Sequence, residues 1–333
     1  MRFYKFFLVA LLFTFSSTLL QGCFLDDYFN NLQMDKANDF YKKQNYKQAI
    51  IEFNKLIDKQ PSSIAYFKRG VSKIKTGQFA NSIEDFDLAI ELSPEMEQAY
   101  SQRGLAKANT GKPEEALQDF DKALEINPDY VDAYNSRGFA KLSLKRLDEA
   151  IEDFDKVIEL KPNLADGYNN RCLMKINLAK FNEAIEDCDK ALELNSKLSN
   201  AFANRGFAFL NLKQPKKALQ DFNSVIELEP KSVTAYNNRI MVKAVLKDLD
   251  GIVSDCNTII AIDPNFALAY NNRGFAKANL KNFDSAQKDF QKAKELFEIQ
   301  NNKGPDYQLA LDNIKILKAM KGNNKGKLKQ KRV

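Results

Sequence analysis

The chain has 333 residues, with 50 lysines and arginines against 44 aspartates and glutamates, and it contains no histidine. The absence of histidine excludes a Ser-His-Asp triad, a Cys-His pair, histidine-ligated zinc and an imidazole pH switch. Glycine and proline are scarce, at 13 and 9 residues, which favours helix over strand.

The excess positive charge lies at the two ends of the chain. The first 22 residues hold Arg2 and Lys5 and no acid, and the last thirteen hold six basic residues and no acid. The body between them therefore has no overall positive field that would favour nucleic acid.

The first predicted element is a targeting segment over residues 1–22. Two basic residues precede an apolar run over residues 6–20, which suits a signal peptide and is short for a membrane span of ~20 residues. The following sequence, Leu-Gln-Gly-Cys at residues 20–23, resembles the lipobox of bacterial lipoproteins. The resemblance implies cleavage after Gly22 and attachment of several acyl chains at Cys23, enough for stable anchoring. An uncleaved signal anchor is the alternative.

Both interpretations place the rest of the chain across the membrane, because positive residues stay on the inner side. Residues 23–29 form a short predicted linker, so the folded body is expected close to the bilayer. The predicted location is the extracytoplasmic, periplasmic side of a bacterial envelope, held there by lipid.

A unit of 34 residues recurs through the body of the chain. Each unit contains a phrase such as AYNSRGFAKL and then one such as AIEDFDKVIELKP. With the glycine of the first phrase as position 8, an aromatic recurs at position 4, a small residue at 20, phenylalanine at 24 and proline at 32. Small residues let two antiparallel helices approach closely, and proline ends the second helix. The glycines are Gly70, Gly104, Gly138, Gly206 and Gly274, with Cys172 and Ile240 in the two remaining places.

This pattern closely resembles the tetratricopeptide repeat family. The resemblance implies an all-α fold, a right-handed α-solenoid of about eight helix-turn-helix units over residues 30–300, the first of them degenerate. A capping helix is predicted over residues 301–320, because the last face of such an array would otherwise be bare. Residues 321–333 are predicted to be a disordered basic tail, which either solubilises the protein or contacts anionic lipid headgroups or an acidic partner.

Arginine at position 7 and aspartate at position 23 recur in all seven regular units. Reflecting a helical hairpin about its turn brings these positions together, so we predict a structural Arg–Asp pair in each unit rather than an arginine ladder for a ligand. The first unit has Lys36 and Glu52 at the same separation. The predicted pairs include Arg103 with Asp119, Arg137 with Asp153, Arg171 with Asp187, and Arg205 with Asp221.

Asparagines recur at positions 5, 6 and 13 of the first helix, which lines the concave face in this family. A carboxamide can bond a peptide N–H and C=O at once, so a row of them could hold an extended backbone, while apolar position 9 takes side chains. Alternatively, the asparagines are ordinary surface residues and position 9 is core. The predicted peptide-binding groove comprises Asn135, Asn169, Asn170, Asn204, Asn237, Asn238, Asn271, Asn272, Phe139, Phe207 and Phe275.

Three further cysteines fall at core positions of the repeats. Cys172 and Cys188 face each other across one predicted hairpin, and Cys256 lies at position 24 of another. Buried free thiols are one interpretation, and a disulfide between Cys172 and Cys188 in an oxidising compartment is the other. These spacings without histidine do not predict a metal site.

The predicted function is that of a membrane-anchored, non-enzymatic adaptor whose groove binds an extended segment of another envelope or membrane protein. No nucleotide-binding loop, metal motif or nucleophile elbow is present, so no cofactor, small-molecule substrate or nucleic acid is expected. An enzymatic interpretation would depend on Asp132 and Asp166 alone. The alternative function is an assembly factor or pilot subunit of a membrane complex, which would bind through convex or edge surfaces.

Overall fold

The computed structural model describes residues 32–330, with side-chain environments up to residue 319, and every regular element in this part of the chain is an α-helix. The chain divides into two compact units between Pro162 and Asn163. Each unit consists of helix-turn-helix hairpins in which the two helices pack against each other.

The first unit contains four hairpins within residues 32–162. The helices are α1 (32–42), α2 (Tyr46–Ile57), α3 (Ser63–Lys75), α4 (Phe79–Leu92), α5 (Glu97–Asn109), α6 (Pro113–Ile126), α7 (Val131–Ser143) and α8 (Leu147–Leu160). The second helix of a hairpin packs on the first helix of the next one in the pairs α2–α3, α4–α5 and α6–α7.

The second unit contains four more hairpins and a final helix within residues 163–330. The helices are α9 (Ala165–Asn177), α10 (Phe181–Leu194), α11 (Ser199–Asn211), α12 (Pro215–Leu228), α13 (Val233–Leu246), α14 (Leu249–Ile262), α15 (Ala267–Asn279), α16 (Phe283–Ile299) and α17 (Pro305–Gln330). Helix α17 packs on α15 and α16, at the place where a further hairpin would begin.

Successive hairpins pack against one another within each unit, so the predicted all-α solenoid of repeated hairpins is confirmed. The end of the last helix differs from the prediction. Helix α17 continues to Gln330, whereas the sequence analysis placed its end at residue 320 and a disordered tail beyond it. The sequence after Pro305 contains no further proline, the residue that ends the second helix in most repeats.

The turn inside each hairpin has the same backbone geometry. The residue at position 15 has a left-handed backbone conformation, as in Gly77 and Gly111, whose φ angles are 79° and 80°. The Gly77 N–H donates to the Ile74 carbonyl and the Gln78 N–H to the Lys73 carbonyl. These two bonds pair carbonyl groups at the C-terminal end of α3, as in a Schellman cap. Five later repeats place another residue there: Lys145, Ala179, Lys213, Lys247 and Lys281.

The two helices of a hairpin touch where position 8 meets position 24. Phe86, Phe120 and Phe154 are fully buried, and each ring lies against the glycine of its own repeat. A β-carbon added at Gly138 would lie 2.7 Å from the Phe154 ring, which is shorter than any ordinary contact. Glycine at position 8 of this repeat is therefore required by the close approach of the phenylalanine ring.

We expect Gly138→Ala to destabilise the protein by about 1–2 kcal/mol, because overpacking of about 1–3 kcal/mol exceeds the gain of up to about 1 kcal/mol in helix propensity. Gly206→Ala is the matched control, because its β-carbon would meet its nearest atoms at 3.2 Å. Urea denaturation of both variants measures the difference. Equal midpoints would contradict this account of the close contact.

One hairpin replaces the glycine–phenylalanine contact with a disulfide. Cys172 on α9 and Cys188 on α10 are bonded, with their α-carbons 5.6 Å apart, and both are fully buried. Of the two states that the sequence left open, the structure has the disulfide. Cys256 is free and buried, and burial raises the pKa of its thiol to about 12, so it is an unreactive core residue.

Candidate functional site

The arginines at position 7 bind the aspartates at position 23 of their own repeats. Arg103 donates from Nε and Nη2 to the two oxygens of Asp119, at 3.0 and 2.6 Å, and Arg137 donates to Asp153 from the same two nitrogens, with its Nε shared between both oxygens. All four predicted pairs are present in this geometry, including Arg171 with Asp187 and Arg205 with Asp221. The aspartates are buried, so these arginines are part of the repeat framework and not a ladder for a ligand.

A second cation, which the sequence analysis missed, contacts most of these aspartates. Lysine at position 11 lies 2.7–2.8 Å from the carboxylate, as Lys141 does from Asp153. The signal was visible in the sequence, because position 11 is lysine in six of the seven regular repeats. The lysines are Lys73, Lys107, Lys141, Lys175, Lys243 and Lys277.

The arginines also connect neighbouring repeats. In the first unit Arg137 Nη1 donates to Asp121 of the preceding repeat at 2.6 Å, and in the second unit Arg205 reaches Asp189 at the same distance. The guanidinium of Arg137 lies 5.3 Å from the centre of the Tyr134 ring. The Arg137 side chain therefore links the two helices of its own repeat and also connects them to the preceding repeat.

The repeat that contains Arg205 lacks the lysine. Phe209 stands at position 11, so within residues 32–319 Arg205 is the only cation that forms an ion pair with Asp221. Burial raises the pKa of the Asp221 carboxyl, and the hydrogen bonds from Arg205 only partly oppose that rise. Among the repeats, this one depends most on its arginine.

The degenerate first repeat uses a glutamate in the aspartate's place. Lys36 lies 3.3 Å from Glu52, and Gln33, Gln48 and Lys55 donate to the same carboxylate. Burial by itself raises the pKa of Glu52, but these hydrogen bonds outweigh it and lower the pKa from 4.5 to about 2. The group therefore stabilises the fold above pH 4.5, and this contribution is lost as the pH falls toward 2.

Two predicted groove asparagines are buried inside the framework. Asn169 accepts a hydrogen bond from Asn204 Nδ2 of the next repeat at 3.0 Å, and Asn271 accepts one from Asn313 Nδ2 of α17 at 3.0 Å. Position 5 thus pairs neighbouring first helices, and neither side chain reaches the open face. The sequence analysis grouped these two with the exposed asparagines because spacing does not show which amides pair.

The asparagines at position 13 also have a local role. Asn211 Nδ2 donates to the Phe207 carbonyl and Asn279 Nδ2 to the Phe275 carbonyl, four residues earlier. These bonds satisfy carbonyl groups in the last turns of the first helices.

The remaining predicted groove residues are accessible. Phe139, Phe207 and Phe275 are 39, 43 and 48% exposed, so position 9 is not core in these repeats. Positions 6 and 9 are one turn apart and share a helix face, so each helix pairs an amide with an apolar side chain. Six asparagines are half-buried: Asn135, Asn170, Asn204, Asn237, Asn238 and Asn272.

In the second unit these side chains form what we call the groove face, defined as Asn204, Phe207, Asn238, Met241, Asn272 and Phe275. The side chain of Asn238 makes no hydrogen bond to any other described residue, so its amide donor and acceptor are both available. None of the six side chains is charged. The groove face therefore offers amides and apolar surface but no charge.

Cys23, the predicted lipidation site, and the signal peptide lie outside the described residues, as do the first two residues of the proposed repeat region. Between residues 32 and 330, no helix is both long and apolar enough to cross a bilayer. The same part of the chain contains no group of three or more His, Cys, Asp or Glu placed to hold a metal ion.

Family models of the tetratricopeptide repeat match most of the chain. The matches cover residues 34–97, 97–130, 131–164, 165–198, 199–232 and 267–299. Hairpin α13–α14, which has Ile240 and Cys256 at positions 8 and 24, lies between the last two of these matches. A search of curated proteins finds no significant match.

Solved structures share the fold at low sequence identity. A tetratricopeptide repeat protein from Parabacteroides merdae is 19% identical, with a TM-score of 0.58, and the alignment covers 78% of this chain and 99% of that one. The C-terminal part of a repeat protein from Cytophaga hutchinsonii is 18% identical, with a TM-score of 0.55 and coverage of 72 and 98%. The pilF protein of Pseudomonas aeruginosa is 19% identical, with a TM-score of 0.54 and coverage of 61 and 92%.

Proposed function

Because the chain belongs to the tetratricopeptide repeat family, whose members generally act as protein-interaction scaffolds and not as enzymes, we propose that it is an adaptor whose groove face binds an extended segment of a partner protein. The partner is another envelope or membrane protein. The segment lies across the first helices of the second unit.

The single observation that supports this proposal is the uncharged row of amides beside exposed apolar side chains. The free carboxamide of Asn238 can accept from a peptide N–H and donate to a peptide C=O, and the exposed Met241 one turn along α13 and Phe207 on α11 can contact side chains of the segment. The arginines at position 7 and the lysines at position 11 are held by buried aspartates, and the groove face has no charged side chain, so the recognition involves main chain and apolar groups rather than charge.

The test uses a photo-crosslinking amino acid in place of Phe207 in the full-length chain, with the cross-linked partner peptide identified by mass spectrometry. Asn238→Ala is expected to lower the cross-linking yield about fivefold to a hundredfold, since two hydrogen bonds of about 0.5–1.5 kcal/mol each are lost. Asn204 is a poorer choice, because it also holds the buried Asn169. The melting temperature of Asn238→Ala is expected to stay unchanged.

The matched control is Gln220→Ala, which removes a carboxamide from the exposed side of α12. It is expected to leave the cross-linking yield unchanged. Equal yields from wild type and Asn238→Ala would contradict groove binding. Cross-links from position 220 and none from position 207 would instead support an assembly factor that binds through its convex or edge surfaces.

We extend the proposal to a lipid anchor at Cys23, on the strength of the Leu-Gln-Gly-Cys motif after an apolar segment. The body would then lie on the extracytoplasmic side of a bacterial membrane. Cys23→Ser is expected to move the protein out of the membrane fraction, and the intact mass should lack acyl groups such as palmitate. Unchanged membrane association with an unmodified Cys23 would point to a signal anchor.

A further inference from the structure

A cavity of about 290 Å³ opens at the last repeats of the second unit. Its walls come from four helices: Ile240, Met241 and Ala244 of α13, Ile252 of α14, Asn271, Asn272 and Phe275 of α15, and Leu309 and Asn313 of α17. Met241, Asn272 and Phe275 belong to the groove face, so the cavity opens within that face. The lining is mostly apolar and includes no charged residue.

The position of α17 shapes this cavity. Asn313 meets Asn271 at a separation of 42 residues, whereas Asn204 meets Asn169 at a separation of 35. Of the seven extra residues, four lie in the longer α16 and its connection to α17, and three place Asn313 about one helical turn further along its own helix than Asn204, so α17 begins about one turn earlier relative to this contact. Helix α16 has 17 residues where α14 has 14, and this extra turn accounts for most of those four residues.

Two buried amides face the cavity with hydrogen-bonding groups unused. Asn271 and Asn313 are 1 and 8% exposed, and the bond between them uses Asn271 Oδ1 and Asn313 Nδ2. Within the described residues Asn271 Nδ2 and Asn313 Oδ1 have no partner. Both residues line the cavity, so this donor and this acceptor are placed to pair with the C=O and N–H of a peptide group bound there.

The floor of the cavity consists of residues that depart from the repeat pattern. Ile240 stands where five repeats have glycine, and Ile252 stands where most have alanine. Both side chains are buried, and they give the cavity a branched aliphatic base. The apolar floor therefore comes from the repeat whose core differs most from its neighbours.

We propose that this cavity binds one large apolar side chain, the size of phenylalanine or leucine, from the partner's extended segment, with a peptide group of that segment paired to Asn271 and Asn313. This anchor site rests on the proposed function, because it would recognise one residue of the segment that the groove face binds. The peptide C=O accepts from Asn271 Nδ2, and a peptide N–H donates to Asn313 Oδ1.

Size and charge favour this occupant. An apolar cavity of about 150 Å³ holds a benzene ring, so 290 Å³ has room for an aromatic side chain and the adjoining peptide unit. Pockets for drug-sized ligands are about 300–1,000 Å³, which places this cavity at the small end. A charged side chain would lose its hydration without gaining a counter-ion from the lining.

The test uses N-acetyl-phenylalanine methylamide, an uncharged aromatic residue flanked by peptide groups, titrated into the full-length protein and followed by NMR of the asparagine side-chain amides. We expect saturable shifts at Asn271 and Asn313. N-acetyl-alanine methylamide should bind about tenfold to a hundredfold more weakly, because it lacks the buried ring worth about 1.5–3 kcal/mol.

Ala244→Phe fills the mouth of the cavity from an exposed wall position and is expected to abolish the saturable shifts. Val245→Phe adds comparable bulk at the next, exposed residue, which does not line the cavity, and should leave binding unchanged. No saturable binding to wild type, or equal binding by Ala244→Phe, overturns the proposal.

The outcome separates this inference from the proposed function. Cross-links from position 207 without binding of the probe would leave the groove proposal standing and remove the anchor site. Saturable, Ala244→Phe-sensitive binding of the probe without any cross-link from position 207 would keep the cavity as a site for apolar residues and remove the groove.

Discussion

Replacing Arg205 with alanine is expected to destabilise the protein by about 3–5 kcal/mol, because it leaves the buried Asp221 without a cation. Arg137→Ala is the matched comparison and should cost at least about 1 kcal/mol less, since Asp153 keeps Lys141 at 2.8 Å. Urea denaturation at pH 7, followed by circular dichroism, measures both losses.

The pH dependence offers a second measure of the same effect. The pKa of Asp221 is already raised with Arg205 in place, and loss of the arginine raises it further. A raised folded-state pKa removes stability as the pH rises from the unfolded pKa of about 3.9, so the deficit of Arg205→Ala should be smaller at pH 3 than at pH 7. An Arg205→Ala, Asp221→Ala double variant should lose less than the sum of the two single changes. Strict additivity would contradict the pairing.

Reduction of the Cys172–Cys188 disulfide is expected to lower the free energy of unfolding by about 2–4 kcal/mol. The bond closes a segment of sixteen residues, and a loop of that size accounts for about 3 kcal/mol in the chain-entropy description. Denaturation with and without a thiol reductant measures the loss, and a Cys172→Ala, Cys188→Ala variant should reproduce it.

The repeats themselves supply the control for this prediction. Five of them pair glycine and phenylalanine at these two positions, with the ring filling the space over the glycine. A Cys172→Gly, Cys188→Phe variant should therefore regain part of the lost stability and become insensitive to reductant. If this variant unfolds as readily as the double alanine variant, the two modes of hairpin contact are not equivalent.

Much of the framework could be predicted because it is local and repeated. Arg137 and Asp153 are sixteen residues apart in one hairpin, and the geometry of two antiparallel helices brings them together wherever the turn has a constant length. The contact of the position 11 lysine with the same aspartate is equally local, so the recurrence of that lysine in the sequence was enough to predict it. The disulfide was left open, because facing positions permit a bond but do not require one.

The candidate site was harder to predict because it depends on contacts between repeats. Spacing places Asn169 and Asn204 on equivalent turns, but only packing shows that one is buried as the acceptor for the other. Likewise, nothing in the spacing of Asn313 indicates that it pairs with Asn271, since α17 follows a longer helix and leaves the register of the repeats.

The sequence by itself determined the fold class, the helix positions and the intra-repeat ion pairs, since a 34-residue period imposes the same short-range geometry on every unit. Only the tertiary structure decided which amides remain accessible, and that a cavity opens beside α17. Those features depend on where one helix lies along its neighbour, and a shift of about one turn leaves the hydrophobic pattern of each helix unchanged.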